Sequence, residues 1–366
     1  MATGFVWHEL YGWHDTGTYN GLLAPSATVQ PWQHFESAES KTRFASLVEV
    51  SGLAEYLTRI VPVTATEEDI LRVHSREHLE RIQRESASVK GGDAGDGTSP
   101  FGGGAFEIAS LAAGGAIAAA HAVMNGDVRN AYALIRPPGH HARPSTGMGF
   151  CIFANAAIAI KSLRAEMGVG RIATVDWDVH HGNGTQEIFY DDPDTLTISI
   201  HQDGLFPINS GHLRERGDAA GEGFAMNVPL PAGSGNGAYI ETIQRFVVPA
   251  LRRFKPELIV VPSGFDASAA DPLGRQMVTP TGYREMTRLL MDVADEVCGG
   301  RIVMTHEGGY SPFYVPYCGL AVLETMSGHK TAIDDPITPG WDELPGQECT
   351  DHQRAVIDSA ITAHSL

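Results

Sequence analysis

Residues 172–185 read I-A-T-V-D-W-D-V-H-H-G-N-G-T, a short apolar and β-branched run followed at once by acidic and histidine side chains. Such a run is typical of a buried strand, because β-branched side chains pack well on a pleated surface. In open α/β sheets, ligands bind beyond the carboxyl ends of the strands. The stretch therefore predicts a strand over 172–175 whose end carries functional residues.

The same alternation continues along the chain. Further short apolar runs lie at 131–135, 196–200, 258–261 and 302–304. Segments long enough and amphipathic or Ala-rich enough to be crossover helices lie at 106–124, 155–166, 239–254 and 281–297. Thr279 and Pro280 suit the start of the last of these helices. Strands that alternate with helices predict the α/β class, with an open, mostly parallel sheet flanked by helices.

Two segments and the C-terminal part of the chain depart from this pattern. Glycine, serine, aspartate and proline punctuate 90–105 and 203–223 without periodicity, which predicts two long loops. From about residue 331 the pattern is irregular until a polar helix predicted over 351–363. We expect one domain over residues 1–366, with a peripheral C-terminal element from about 331.

Composition and charge limit the possible partners. The chain has 26 Lys plus Arg against 44 Asp plus Glu, a formal charge of −18. This charge opposes direct binding to nucleic-acid phosphates and favours a cationic substrate or partner. The four cysteines form no CxxC pair, as expected of free thiols in the cytoplasm. We see no leader-like N-terminus and no uncharged run of about 18 apolar residues, so we expect no membrane span. A homo-oligomer is compatible with the sequence.

All five apolar runs are followed by titratable or metal-binding residues. The segments that follow them contain, in chain order, R-P-P-G-H-H, D-W-D-V-H-H-G-N-G-T, His201, P-S-G-F-D-A-S and T-H-E-G-G-Y. Because the carboxyl ends of parallel strands meet at one edge of a sheet, these residues should converge. The sequence thus predicts a single reactive site at that edge.

Asp178 and His180 are candidate metal ligands. They are two residues apart, so in an extended strand exit they point to the same side and can reach one ion. Asp266 can supply a third ligand. Two carboxylates and one imidazole suit Zn²⁺ or Fe²⁺ and leave a position for water and substrate. An isolated D-x-H pair is more often surface or capping polarity, but the accompanying strand-end residues favour the metal site.

His140 and His141 are candidates for proton transfer. Adjacent histidines are often structural, but these two lie where attacking water needs a proton acceptor and a leaving amine needs a donor. Asp176 can orient one imidazole and Asn183 the other, and a carboxylate favours the imidazolium more strongly than an amide does.

Tyr310 follows Gly308 and Gly309, which allow the backbone to turn and to place a phenol near the metal. Its hydroxyl can donate to an oxyanion, although a tyrosine that packs on the surface is the simpler alternative. Phe150 and Phe206 can wall a narrow channel, or can equally be ordinary core aromatics.

Five ordered motifs carry a family resemblance. They are R-P-P-G-H-H-A at 136–142, G-M-G-F-C at 147–151, D-W-D-V-H-H-G-N-G-T at 176–185, G-F-D-A at 264–267 and E-G-G-Y at 307–310. Over roughly residues 5–330 the chain resembles the histone deacetylase superfamily, in particular bacterial histone deacetylase-like amidohydrolases related to class II. The resemblance implies the arginase/deacetylase fold, with a sheet of about eight strands.

The resemblance also implies an activity and a role for each motif residue. The reaction is hydrolysis of an N-acyl amide on lysine or a similar amine by metal-activated water. Asp178, His180 and Asp266 become the zinc ligands, His140 and His141 become the acid/base pair, and Tyr310 becomes the oxyanion donor. The substrate-binding residues are Gly149, Phe150, Phe206 and Leu273.

Similar proteins hold monovalent cations, usually potassium. The resemblance implies one such site near the zinc, formed by carbonyl oxygens of Asp176, Asp178, His180 and Ile200 with the side chains of Asp176 and Ser199. A second site is implied mostly through backbone oxygens of Phe189, Asp192, Thr195 and Phe224.

Some positions distinguish subgroups within the family. Asn183 agrees with class II, and the retained Tyr310 implies real amidase activity. Leu273 is expected at the channel mouth, where an apolar side chain suits acyl-lysine better than an acetylated polyamine. Asp96 is a candidate for binding the substrate backbone at the rim. An acetylpolyamine amidohydrolase remains the main alternative, followed by a non-catalytic acyl-binding protein, whereas a two-manganese arginase-like enzyme lacks the extra carboxylates.

Overall fold

Twelve strands occur in the computed structural model, which describes residues 2–366. They are β1 (Thr3–Val6), β2 (Thr18–Tyr19), β3 (Trp32–Gln33), β4 (Leu57–Ile60), β5 (Gly92–Asp93), β6 (Pro100–Phe101), β7 (Asn130–Ala133), β8 (Ile172–Asp176), β9 (Thr195–Gln202), β10 (Ala225–Leu230), β11 (Leu258–Ser263) and β12 (Ile302–His306). Eight of them form one sheet in the order β10-β9-β8-β11-β12-β7-β1-β4, and every neighbouring pair is parallel.

Twelve α-helices accompany these strands. They are α1 (Glu39–Val50), α2 (Glu67–Leu71), α3 (Arg76–Ser86), α4 (Ala105–Asn125), α5 (Asn155–Met167), α6 (Asn183–Ile188), α7 (Asn236–Thr242), α8 (Val248–Phe254), α9 (Pro280–Cys298), α10 (Val315–Ser327), α11 (Thr338–Asp342) and α12 (Asp351–His364). Apolar side chains from the sheet and these helices form the buried core on both faces of the sheet. The predicted class, an open parallel sheet flanked by helices, is confirmed.

All five predicted strands belong to the central sheet as β7, β8, β9, β11 and β12. The other three strands of the sheet were not predicted. In β10 an asparagine and a proline interrupt the apolar run, and β4 is an edge strand whose two central residues, Thr58 and Arg59, are exposed. The strand β1 has only four residues, so periodicity gives little signal even though all four are buried.

The four predicted crossover helices are also present. Three of them are α4, α5 and α9, and α9 begins as predicted, with Thr279 as its N-cap and Pro280 at its first position. The helix predicted over 239–254 is in fact interrupted. The helices α7 and α8 are joined there by a π-helical turn at Ile243–Val247.

The predicted loop over 90–105 is only partly irregular, because it contains the antiparallel hairpin β5–β6. The Asp93 carboxylate accepts hydrogen bonds from the backbone N–H groups of Gly95, Gly97 and Ser99 and so closes the turn. The glycines do not prevent strand pairing here, because the Asp93 side chain supplies hydrogen-bond acceptors for the backbone N–H groups of the turn. The segment 203–223 is irregular apart from a short 3₁₀ turn at Ala219–Gly221.

The predicted C-terminal helix is present as α12. Thr350 and Gln353 form a capping box at its start, which satisfies backbone N–H groups that a helix leaves free. Ile357 and Ala360 are buried against the core, and the helix contacts β10.

Helix α4 is long and apolar enough to cross a membrane by length and composition alone, which the sequence analysis overlooked. However, 67% of its most apolar window is buried, and core helices of soluble proteins pass the same test. It packs against α5 and β7. A Cβ at Gly114 would strike the backbone of Val63 and Ala65, so the small residues of α4 serve close packing within the protein.

Candidate active site

Asp178, His180 and Asp266 come together at the carboxyl edge of the sheet. The first two follow β8 and the third follows β11, its neighbour in the sheet. One potential ligand atom from each residue lies within 4.8 Å of the other two. Nδ1 of His180 is 3.1 Å from Oδ1 of Asp178 and 3.0 Å from Oδ2 of Asp266. All three residues are buried, so this is a compact set of potential metal ligands rather than surface polarity.

Backbone groups hold the two carboxylates in place. Oδ2 of Asp178 accepts from the N–H of Gly308 at 2.8 Å, and Oδ1 of Asp266 accepts from the N–H of Val179 at 2.8 Å. A Cβ at Gly264 or Gly308 would collide with these carboxylates. The glycines therefore let the chains after β11 and β12 approach the ligands closely, and the hydrogen bonds fix the ligand orientation.

The chemistry of this set fits a divalent cation. Burial and the neighbouring Asp178 raise the pKa of Asp266 to about 6. Burial alone would lower the pKa of His180, but hydrogen bonds to both carboxylates raise it to about 10. Two buried carboxylates thus require a shared positive charge between them. Zn²⁺ or Fe²⁺ can supply that charge, with His180 neutral as a ligand and one position left open.

His140 and His141 lie side by side with ring centroids 4.0 Å apart. Nδ1 of His140 is 2.9 Å from Oδ2 of Asp176, and Nδ1 of His141 is 2.7 Å from Oδ1 of Asn183. The same two residues, Asp176 and Asn183, were predicted from the sequence to orient the histidine pair. With the oxygen of Asn183 as acceptor, Nδ1 of His141 is the donor and Nε2 keeps its lone pair.

The two imidazoles have opposite protonation tendencies in the absence of a metal. Burial disfavours the charged form of His140, but Asp178 and Asp176 more than offset it and raise its pKa well above the usual value. Burial lowers the pKa of His141 well below the usual value, and the neighbouring His140 lowers it further. Two differently charged imidazoles side by side are suited to both taking and giving a proton.

Glu307 supports the histidine pair, a role that the sequence analysis did not assign to it. One of its oxygens, Oε2, accepts from the backbone N–H of Gly139 at 2.6 Å and of His140 at 3.0 Å. Burial raises the pKa of Glu307 to about 7. Glu307 belongs to the E-G-G-Y motif, so its presence in that motif pointed to a functional role. Only the fold shows that it binds the backbone of Gly139 and His140.

Tyr310 is buried beside the candidate ligands. Its ring lies edge-to-face with Phe150 at 5.6 Å, and the ammonium of Lys41 is 5.1 Å from the ring centroid. The Asp271 carboxylate accepts from the backbone N–H of Tyr310 at 2.7 Å and from that of Leu273 at 2.9 Å. Asp271 therefore holds the backbone of both Tyr310 and Leu273, a role that was not predicted from the sequence.

A buried ion cluster lies behind Tyr310. The Glu36 carboxylate is 3.0 Å from Nζ of Lys41 and 2.8 Å from a guanidinium nitrogen of Arg136. Lys41 and Ser40 both donate to the carbonyl oxygen of Gly309, at 3.3 and 2.8 Å. This cluster was not predicted, because Glu36 and Arg136 are 100 residues apart and Glu36 lies in no recognisable motif.

A cavity of about 180 Å³ leads to the candidate ligands. Its lining includes all four predicted substrate-binding residues, Gly149, Phe150, Phe206 and Leu273, together with His141, His180 and Tyr310. Three further lining residues come from segments in which the sequence showed no motif, namely Leu22, Thr98 and Leu205.

The walls of this cavity are set by local backbone geometry. Gly149 has φ of +54°, and a Cβ there would strike the ring of His141. The ring of Phe206 lies edge-to-face with that of His141 at 5.1 Å. Asp96, predicted at the rim, accepts from the backbone N–H of Gly149 at 2.7 Å and thus shapes the channel itself. The result is a narrow passage with aromatic walls.

The residues of the first predicted potassium site lie together. Asp176 on β8 is the register partner of Ser199 on β9. Oγ of Ser199 is 2.9 Å from Nδ1 of His201, and Nε2 of that histidine is 3.0 Å from the carbonyl oxygen of Gly211. Ile200 follows Ser199 in the same strand. This cation site stays a prediction.

The second predicted potassium site has cationic neighbours. Asp192 forms an ion pair with Arg164 at 2.5 Å, and Thr195 accepts from the same guanidinium at 2.8 Å. Nζ of Lys161 lies 5.0 Å from the ring centroid of Phe189. The carbonyl oxygen of Phe224, the fourth predicted ligand, accepts from the N–H of Thr197 at 2.8 Å. This site also stays a prediction.

A second cluster of possible metal ligands consists of His140, Cys151 and Glu307. Burial and Glu307 raise the pKa of the Cys151 thiol well above its usual value. The thiol donates to the carbonyl oxygen of Gly149 at 3.4 Å. Within this cluster Glu307 already accepts from the backbone N–H groups of Gly139 and His140, so these contacts support the histidine pair.

Comparisons with known proteins agree with this geometry. The histone deacetylase domain family matches residues 34–326. A histone deacetylase-like amidohydrolase of Pseudomonas aeruginosa is 49% identical over 100% of this chain and 96% of that protein. A probable deacetylase of Archaeoglobus fulgidus is 40% identical over 92% of this chain and 89% of that protein. The crystal structure of the HDA15 HD domain superposes with a TM-score of 0.86 at 30% identity, covering 99% of this chain and 94% of that one.

The chain therefore belongs to the histone deacetylase family, and its fold is the arginase/deacetylase fold. This membership supports hydrolase activity of the deacetylase type.

Proposed function

We propose that this protein is a zinc-dependent amidohydrolase that removes an acetyl-type acyl group from a lysine side chain or a similar amine. The observation that carries this proposal is that His180, His141 and Tyr310 line one and the same cavity. A metal ligand, a proton acceptor and a hydrogen-bond donor thus face one narrow space. That combination is what hydrolysis of an unreactive amide requires.

The chain's own residues have distinct tasks in this reaction. A bound Zn²⁺ would supply Lewis-acid polarisation of the amide carbonyl and would lower the pKa of water. His140 and His141, taken together, accept a proton from the attacking water and deliver one to the leaving amine nitrogen. The hydroxyl of Tyr310 donates to the carbonyl oxygen as it gains negative charge. Water adds to the carbonyl carbon, the C–N bond breaks, and a carboxylic acid and a free amine result.

The cavity walls favour an acyl-lysine substrate. Phe150 and Phe206 can enclose the aliphatic stem and exclude water from it. Leu273 gives an apolar mouth with no carboxylate to pair with the internal ammonium of an acetylated polyamine. The formal charge of −18 favours cationic peptides around the acylated residue.

A side-by-side rate comparison tests the proposal. Zinc-loaded protein is assayed on acetyl-lysine peptides, trifluoroacetyl-lysine, N-acetylputrescine and N-acetylspermidine. We expect kcat/KM to be highest for an acyl-lysine substrate. A higher value for acetylspermidine would replace this proposal with an acetylpolyamine amidohydrolase. Binding of an acetyl-lysine peptide without turnover of any of these substrates would indicate a non-catalytic acyl-binding protein.

The proposal also includes a potassium site and a cellular location. We propose that potassium binds near the zinc site through Asp176, Ser199 and Ile200, so that activity should rise when potassium is returned to a potassium-free preparation. We also propose a cytoplasmic location, because all four cysteines of the chain are free thiols.

A further inference from the structure

A second groove lies at the opposite edge of the sheet from the active site and has a volume of about 470 Å³. Leu196 and Met226, the second residues of β9 and β10, line it. The last turn of α8, the end of α12, the segment 216–224, Arg171 and Pro193 also line it. The candidate metal ligands, by contrast, follow the carboxyl ends of β8 and β11. The groove is therefore separate from the active site.

The charge of this groove is opposite to that of the whole chain. Three arginines line it, Arg171, Arg216 and Arg253, against one carboxylate, Glu222. Glu222 is 3.8 Å from Nε of Arg216, and both side chains are more than a third exposed, so this pair neutralises little charge. The chain as a whole carries a formal −18. The groove can therefore attract small anions even though the protein as a whole is negatively charged.

The other two guanidinium groups have no carboxylate partner within residues 2–366. Arg253 donates to the carbonyl oxygens of His364 and Ser365, at 2.9 and 3.3 Å. The guanidinium of Arg171 lies 5.8 Å from the ring centroid of Phe254. Arginines without a bound carboxylate keep donors free for planar anions, which they contact through two nitrogens at once.

Buried donors without partners point into the same groove. His364 is only 3% exposed, and neither of its ring nitrogens has a hydrogen-bond partner in the described part of the chain. Nε of Arg216 is also buried and has no hydrogen-bond partner among the described residues, since the Glu222 carboxylate, at 3.8 Å, is too far for a hydrogen bond. Burial, with Arg216 and Arg253 nearby, lowers the pKa of His364 to about 4. An anion would provide an acceptor for these groups and would offset the repulsion among the cations.

The remaining walls are apolar and aromatic. The rings of Phe224 and Phe254 lie 5.7 Å apart in an edge-to-face arrangement. Pro193, Leu196 and Ala250 extend the apolar lining beside them. A ligand that fits must therefore bury an apolar body as well as place a charged group.

We propose that this groove binds a small amphipathic anion, namely a carboxylate or phosphate carried on a flat or short apolar body. The anionic head contacts Arg216 and His364, and Arg171 and Arg253 add positive charge around it. The apolar body packs against Phe224 and Phe254. Sequence alone gives no sign of this site, because its residues come from five separate segments.

Binding is tested by titrating the full-length protein with phenyl phosphate and with benzoate, which separate the two possible head groups. Inorganic phosphate lacks the apolar body and benzyl alcohol lacks the anionic group, so each serves as a control for one part of the ligand. Histidine labelled with ¹³C reports on the ring of His364, and calorimetry gives the Kd. We expect at least one aryl anion to shift the His364 signal at concentrations where benzyl alcohol does not. Equal affinity for phenyl phosphate and inorganic phosphate would overturn the role of the aromatic walls.

The variant Arg216→Gln should weaken binding of that anion roughly 10-fold or more, since it removes a charge-assisted hydrogen bond. Arg214→Gln is the matched control, because Arg214 is exposed, lies two residues away and does not line the groove. Arg171→Gln alters an exposed side chain and should weaken binding in the same direction without affecting folding. Equal binding by Arg216→Gln and Arg214→Gln, or no response of the His364 signal to either aryl anion, would refute the proposal.

Discussion

Replacement of Tyr310 by phenylalanine isolates the hydroxyl group that we assign to the oxyanion. The ring is buried and held by Phe150 and Lys41, so its packing should survive the loss of one oxygen. Loss of one oxyanion donor typically costs about 2.7–4 kcal/mol, a factor of about 10²–10³ in kcat. We therefore expect that loss in kcat with little change in KM.

Steady-state rates on an acetyl-lysine peptide measure this effect, and thermal unfolding shows whether Tyr310→Phe is folded. The matched control is Tyr56→Phe, the same chemical change at an exposed tyrosine outside the cavity. Both variants should unfold close to the wild-type temperature, and only Tyr310→Phe should lose turnover. If a folded Tyr310→Phe keeps near-wild-type kcat, the hydroxyl does not contact the reacting carbonyl, and our assignment of Tyr310 is wrong.

Three further predictions follow from other parts of the structure. Asp178→Ala removes one of three ligands, so metal analysis should show loss of the roughly one zinc per chain expected of wild type, and chelation of wild type should abolish activity reversibly; unchanged zinc and rate in the variant would contradict the site. Leu273→Glu places a carboxylate at the channel mouth and should shift selectivity toward acetylspermidine by about 1–2 kcal/mol in relative kcat/KM, whereas an unchanged ratio would show that the mouth does not contact the polyamine. Burial raises the pKa of Glu36, but Arg136 and Lys41 more than offset it and hold that pKa below its usual value. The ionised Glu36 therefore stabilises the fold at neutral pH, and this contribution is lost as the pH falls below about 4. Urea unfolding should find Glu36→Gln less stable by about 3–5 kcal/mol at pH 7, with the difference shrinking in acid; a gap that does not change with pH would refute this account.

The fold class was predictable because it depends on local patterns. Short runs with β-branched residues such as 172–175 favour buried strands over helices because they are too short for a typical helix and alternate with helical segments. The same reasoning failed where tertiary context overrides local pattern. Strand β4 exposes half of its side chains at the edge of the sheet, and β5–β6 forms in a glycine-rich segment because the carboxylate of Asp93 closes the turn.

The candidate ligands and proton-transfer residues were predictable for a related reason. Carboxyl ends of parallel strands meet at one edge, so residues that follow different strands are brought together by the topology itself. Asp178 and Asp266 follow neighbouring strands of the sheet, and this adjacency is enough to place them within reach of one ion.

The sequence by itself determined the fold class and the residues that can carry out the chemistry, because strand periodicity and strand-end placement are local properties. Only the tertiary structure decided what holds those residues in position. Asp271 binds the backbone of Tyr310, Glu307 binds that of His140, and Glu36 pairs with the distant Arg136 as well as with nearby Lys41. A carboxylate that accepts from a distant backbone N–H has no periodicity and no fixed spacing. Its partner is set by how the loops pack at the edge of the sheet, and that packing depends on the whole chain.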